Sequence, residues 1–95
     1  MTRTPPSVET PRGYIEDADA KKDIQAAAKS LGVKLDNATL ENAWPLYALH
    51  AEKMYPDDAK NYAVFIVNLA KSGTPADQWN ELAEKVVKNI AALRP

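Results

Sequence analysis

One side chain in this sequence titrates near neutral pH when unperturbed: the single histidine, His50. At helical spacing it stands among Leu46, Tyr47, Lys53 and Met54, none of them a second metal ligand or a carboxylate to orient the ring. A di-metal bundle site would need a glutamate three residues before the histidine, and that position is Tyr47. The chain has no cysteine, so disulfides, thiolate metal sites and a thiol nucleophile are excluded. No Gly-x-Ser-x-Gly segment presents a serine, and the three glycines are too scattered to cradle a phosphate. Asp57 and Asp58 are adjacent and cannot both face one site. The segment Asp17–Asp23 echoes the start of a calcium loop, but Lys21 and Lys22 stand where a ligand and the turn glycine belong. The residues therefore support no catalytic set, no metal site and no cofactor, and a non-enzymatic protein is expected.

Charge narrows the partners. Twelve Lys and Arg balance 13 Asp and Glu, for a net charge of -1. That balance argues against attraction to nucleic acid or to an anionic membrane, both of which draw on excess positive charge. No apolar run reaches membrane-spanning length, and no apolar stretch follows Arg3 as a secretory leader would require. A cytoplasmic protein is expected. Residues 28–40 resemble the first half of a DNA-binding helix-turn-helix, with Ala28, Gly32 and Val33 at the expected spacing. The second half departs from it: the apolar residue expected six after the glycine would be Ala38, whereas Leu40 comes at eight. The would-be recognition helix carries Asp36 and Glu41 and no Lys or Arg. DNA binding through 28–40 is thus the third-ranked reading.

The elements that must position any site are helices. The length fits one domain, read as a tail over residues 1–15 and a helical domain over 16–95. Pro5, Pro6, Pro11 and Gly13 give the tail no helical or strand period. The first helix is expected over about 17–31, with Ala20, Ile24, Ala27, Ala28 and Leu31 on one face and Gly32 stopping it. The second, over about 37–55, carries Leu40, Ala43, Trp44, Tyr47, Ala51 and Met54 in phase, with Pro45 inside the stripe. That proline removes a hydrogen bond to the Glu41 carbonyl, so the helix is expected to be kinked or broken there. The third spans about 57–72 and the fourth about 75–93, where Trp79, Leu82, Ala83, Val86, Ile90 and Leu93 form a stripe. Between them Ser72–Asp77 reads as a glycine stop at Gly73, a Thr74 cap and Pro75 at the first helical position. Each helix begins acidic and ends basic, which complements the helix dipole. The fold class is all-α: a compact four-helix arrangement of antiparallel neighbours with an extended N-terminal tail.

What this reading leaves over is apolar surface. The second helix has Leu46 and Leu49 off its stripe; the third has Val64, Phe65 and Val67 off its own. Either both helices are central, or part of the excess is a contact surface. Leu46, Leu49, His50, Tyr55, Val64, Phe65 and Val67 are the candidate protein-binding residues. The expected function is a protein-binding or regulatory module of adaptor, inhibitor or accessory type. Its partner would be another protein or a second copy in a homodimer, met upstream of Ser72–Asp77 between Trp44 and Leu69. The alternative is a small ligand-binding protein or enzyme with a pocket near Pro45, using His50, Tyr47 or Tyr55.

Overall fold

Glycine and proline set where the helices end. In the computed structural model, which describes residues 13–93, four helices follow one another: α1 (Asp17–Leu31), α2 (Asn37–Ala51), α3 (Pro56–Lys71) and α4 (Ala76–Leu93). Gly32 closes α1 at φ 70°, while Gly32 N–H donates to the Lys29 carbonyl and Val33 N–H to that of Ala28. The same pair of bonds recurs after α3. Gly73, at φ 77°, donates to Ala70 and Thr74 to Leu69. Both are the glycine-terminated stop that only a residue without Cβ adopts cheaply. Asp36 caps α2, its carboxylate accepting from Thr39 N–H at 2.8 Å, and the hydrogen bonding to Thr39 holds its pKa below 3.8. The Thr74 hydroxyl sits 2.9 Å from Ser72 Oγ, and the Thr74 carbonyl accepts the indole N–H of Trp79 at 2.8 Å, which ties the turn to the first coil of α4.

Of the two readings of α2, one helix kinked at Pro45 or two helices meeting there, the single helix holds: it continues through the proline to Ala51. Glu41 and Pro45 are both exposed, so solvent can reach the carbonyl that lost its donor. Its C-terminal end comes earlier than residue 55. Tyr55 precedes Pro56 and is extended (φ -69°, ψ 155°), as a residue before proline prefers, and residues 52–55 are needed to reverse the chain. The extended tail expected over residues 1–15 lies mostly outside the described residues. Of its described end, Ile15 is buried and Gly13 N–H donates to the Glu52 carbonyl at 2.9 Å, whereas Tyr14 is exposed.

Sequential helices joined by short turns pack as antiparallel neighbours. α2 and α3 touch each other and every other helix; α1 packs on one side of this pair and α4 on the other. Among the described residues α1 and α4 do not meet. The centre is therefore the α2–α3 pair, where Tyr47, Tyr62, Ile66 and Val67 are almost wholly removed from water. Each such side chain contributes about 1.5–3 kcal/mol of transfer free energy. Much of the remaining core is alanine, including Ala20, Ala27, Ala28, Ala43, Ala59 and Ala63. Such small side chains let helix backbones approach. No helix among the described residues is long and apolar enough to cross a membrane.

Candidate functional site

The seven candidate residues do not form one surface. Val67 has 0 % of its surface exposed and is core, which removes it from any contact role in the folded chain. Its position next to Ile66 widens the buried arc of α3, as expected of a helix with three neighbours. Val64 is half-buried and faces a cavity on the α1 side. Phe65 is half-buried, stacked at 6.3 Å on Tyr62, and lines a shallow depression with Leu69 and Ser72. Leu46 packs against the core, and its carbonyl accepts the Tyr62 hydroxyl at 3.3 Å.

The other three gather at the C-terminal end of α2. His50 and Tyr55 line a groove of about 340 Å³ together with Met54, Asp58 and, from α4, Val87 and Ile90. Leu49 is 60 % exposed. Leu49 directly precedes His50 on α2, and Leu46 lies one turn before both. The groove exists because α4 meets α2 and α3 only in part. Of its apolar stripe, Trp79 and Ala83 are buried, while Leu82, Val86 and Ile90, and Val87 beside them, stay half-exposed. Val87 and Ile90 were outside the candidate set. Ile90 was legible as part of the α4 stripe, and Val87 only as an apolar residue next to it.

His50 is the polar element of this groove. Its ring stands edge-on to Tyr62 with centroids 5.9 Å apart, and Nε2 is buried without a hydrogen-bond partner among the described residues. Burial lowers its pKa below 6.5; Glu84 opposes the shift and Lys53 adds to it. The neutral imidazole is favoured. Tyr62 is fully buried, which pushes its hydroxyl pKa far up, so it stays protonated and donates to the Leu46 carbonyl. Nothing here supplies a nucleophile beside a base, and no cluster of three or more metal-ligating side chains occurs among the described residues.

A second cavity lies on the opposite side, between α1 and α3, with a volume of about 300 Å³. Its walls include Ala27, Ala63 and Val64, and its floor the ring of Tyr47. The Tyr47 hydroxyl donates to the Asp23 carboxylate at 2.8 Å, and Lys60 stands at the rim. Asp23 was not among the candidates either. The available signal was its place on α1, three residues after Ala20 and four before Ala27, where a carboxylate flanks the apolar stripe. A third polar feature joins α1 to α2: the Lys21 ammonium sits 5.5 Å from the Trp44 ring centroid and 3.4 Å from the Glu41 carboxylate. Comparisons with protein-family models, curated proteins and solved structures find no match for this chain.

Proposed function

We propose that this protein is a non-enzymatic binding module that meets another protein, or a second copy of itself, through the surface where α2 and α4 converge. The observation that carries the reading is Leu49, 60 % exposed and next in sequence to His50, which lines a groove with the half-buried Val87 and Ile90. Exposed apolar surface next to an apolar depression is the usual mark of an interaction site. The rim supplies polar groups of both signs, Lys53 and Asp58, as interface rims do. The site differs from the one expected from sequence: it draws on α4, and it leaves out Val67.

The test is the assembly state and partner retention of the wild type against Leu49→Asp. A charge at this exposed position should leave the fold intact, since surface substitutions away from special features change stability by no more than about 0.5 kcal/mol. Concentration-dependent sedimentation, or a retained partner, that disappears in Leu49→Asp supports the reading. A wild type that is monomeric at every concentration and retains nothing that Leu49→Asp loses rejects it.

A further inference from the structure

A proton cannot be added to His50 without moving something. Its Nε2 is buried where α2, α3 and α4 come together and has no hydrogen-bond partner among the described residues. A neutral ring leaves one weakly polar atom unpaired there. A protonated ring leaves an N–H that carries part of a full charge, which is far costlier to bury. On the α3 side the ring stands edge-on to Tyr62. Tyr62 cannot yield, because it is fully buried, stacked between Tyr47 and Phe65, and bonded through its hydroxyl to the Leu46 carbonyl. Across the groove stand Val87 and Ile90 of α4, whose side chains hold no acceptor.

The charged and titratable groups around the ring do not complete it. α2 contributes Lys53, which opposes a second positive charge. The turn contributes Tyr55, and α3 contributes Asp58 beside the buried Tyr62; Tyr55 and Asp58 each have an interaction of their own. α4 contributes Glu84, exposed, whose charge favours the proton but which makes no bond to Nε2. Lys85 and Lys88 of α4 are exposed and stand outside the lining of the groove.

α4 is the neighbour able to give way, and at one end only. Its beginning is fixed: Trp79 is buried and donates to the Thr74 carbonyl, and Ala83 is buried one turn later. Beyond Ala83, Val86, Val87 and Ile90 are half-buried. Segments with few fully buried apolar groups open at the least cost, and a helical piece this short does not persist alone. We propose that protonating His50 releases the C-terminal half of α4 from α2 and α3, so that α4 is a pH-sensitive arm pivoting at Trp79 and Ala83. With α4 away, water reaches Nε2 and supplies the acceptor that the closed form lacks. The device goes beyond the binding role of the α2–α4 surface and needs no partner there.

Native-state hydrogen exchange on the full chain tests it, read by NMR at pH 7.5 and 5.5 with each rate corrected for the chemistry of exchange at that pH. Opening returns the ring to its ordinary midpoint of 6.5, so the opening constant gains up to about tenfold per pH unit below it, until the closed ring also protonates. The Val87 and Ile90 amides should show that gain at pH 5.5. They should also open about tenfold or more above Ile66, whose amide reports unfolding of the whole domain. His50→Gln and His50→Phe carry no titrating ring, and in both the gain should vanish whatever their baseline. The proposal is overturned if Val87 and Ile90 open no more often than Ile66, or if the gain persists in either folded variant. It is also overturned if the His50 ring titrates while the Val87 and Ile90 opening constants stay the same, since the ring would then turn outward by itself.

Discussion

The two sides of the α2–α3 pair are built differently. Toward α1 the contact uses small residues, among them Ala27 and Ala63, and long-range polar contacts that include Tyr47 to Asp23 and Lys21 to Glu41. Toward α4 it has a histidine with a buried, unpartnered nitrogen, edge-on to Tyr62 and lining a groove with Val87 and Ile90, while α4 itself buries Trp79. Small residues bring helices close and leave a bounded cavity beside the contact. α4 is covered along only part of its length, which leaves Leu82, Val86, Val87 and Ile90 half-buried at the surface. The difference teaches that apolar excess in a sequence has two fates. At Val67 it widens the core; at Leu49 and Ile90 it stays at least partly at the surface.

The sharpest way to break this contrast is to place a charge on each side of it. Val67→Asp buries a carboxylate with no partner and should cost about 4 kcal/mol or more, enough to unfold a domain of this size. Circular dichroism would show it, and a folded Val67→Asp protein would mean that α3 is not central. Truncation grades the same contrast. Ile66→Ala, at a position with 0 % exposure, should cost about 3 kcal/mol in denaturant unfolding. Ile90→Ala, in half-exposed α4, should cost about 1 kcal/mol. Equal losses would show that α4 is as firmly docked as the central pair.

On the α1 side, Tyr47→Phe removes the hydroxyl bond to Asp23 and should destabilise by about 1–2 kcal/mol, read from the same unfolding curves. The α4 side should instead respond to pH. The folded chain holds the His50 pKa below 6.5, chiefly by burial, so it binds that proton less readily than the unfolded chain does. The stability of the neutral form is complete above 6.5 and is lost as pH falls from there through the lowered folded value. Thermal unfolding across that window should show a decline that His50→Gln reduces. An unchanged decline in His50→Gln would assign it to the carboxylates.

Much of the fold was legible because stops and caps are local. Gly32 and Gly73 take the left-handed conformation that their positions announce, and Asp36 caps the helix that follows it. The end of α2 was not legible, because Met54 keeps the buried phase after the chain has left the helix: it is 5 % exposed yet lies beyond Ala51. A turn can bury a side chain as well as a helix can, and the pattern of burial does not distinguish them. The candidate site was only partly legible. His50 and Tyr55 do line one groove, but its other wall comes from α4, far along the chain. The Tyr47–Asp23 bond spans 24 residues and depends on how α1 crosses α2, which no local spacing encodes.

Capture from a lysate of the native cell with three chains tests the central claim most directly: the wild type, Leu49→Asp on the α4 side, and Gln25→Asp at an exposed position on α1. All three should unfold cooperatively at nearly the same denaturant concentration. The account predicts that proteins, or further copies of the chain, retained by the wild type and by Gln25→Asp are lost from Leu49→Asp. Identical retention by all three folded chains would contradict it.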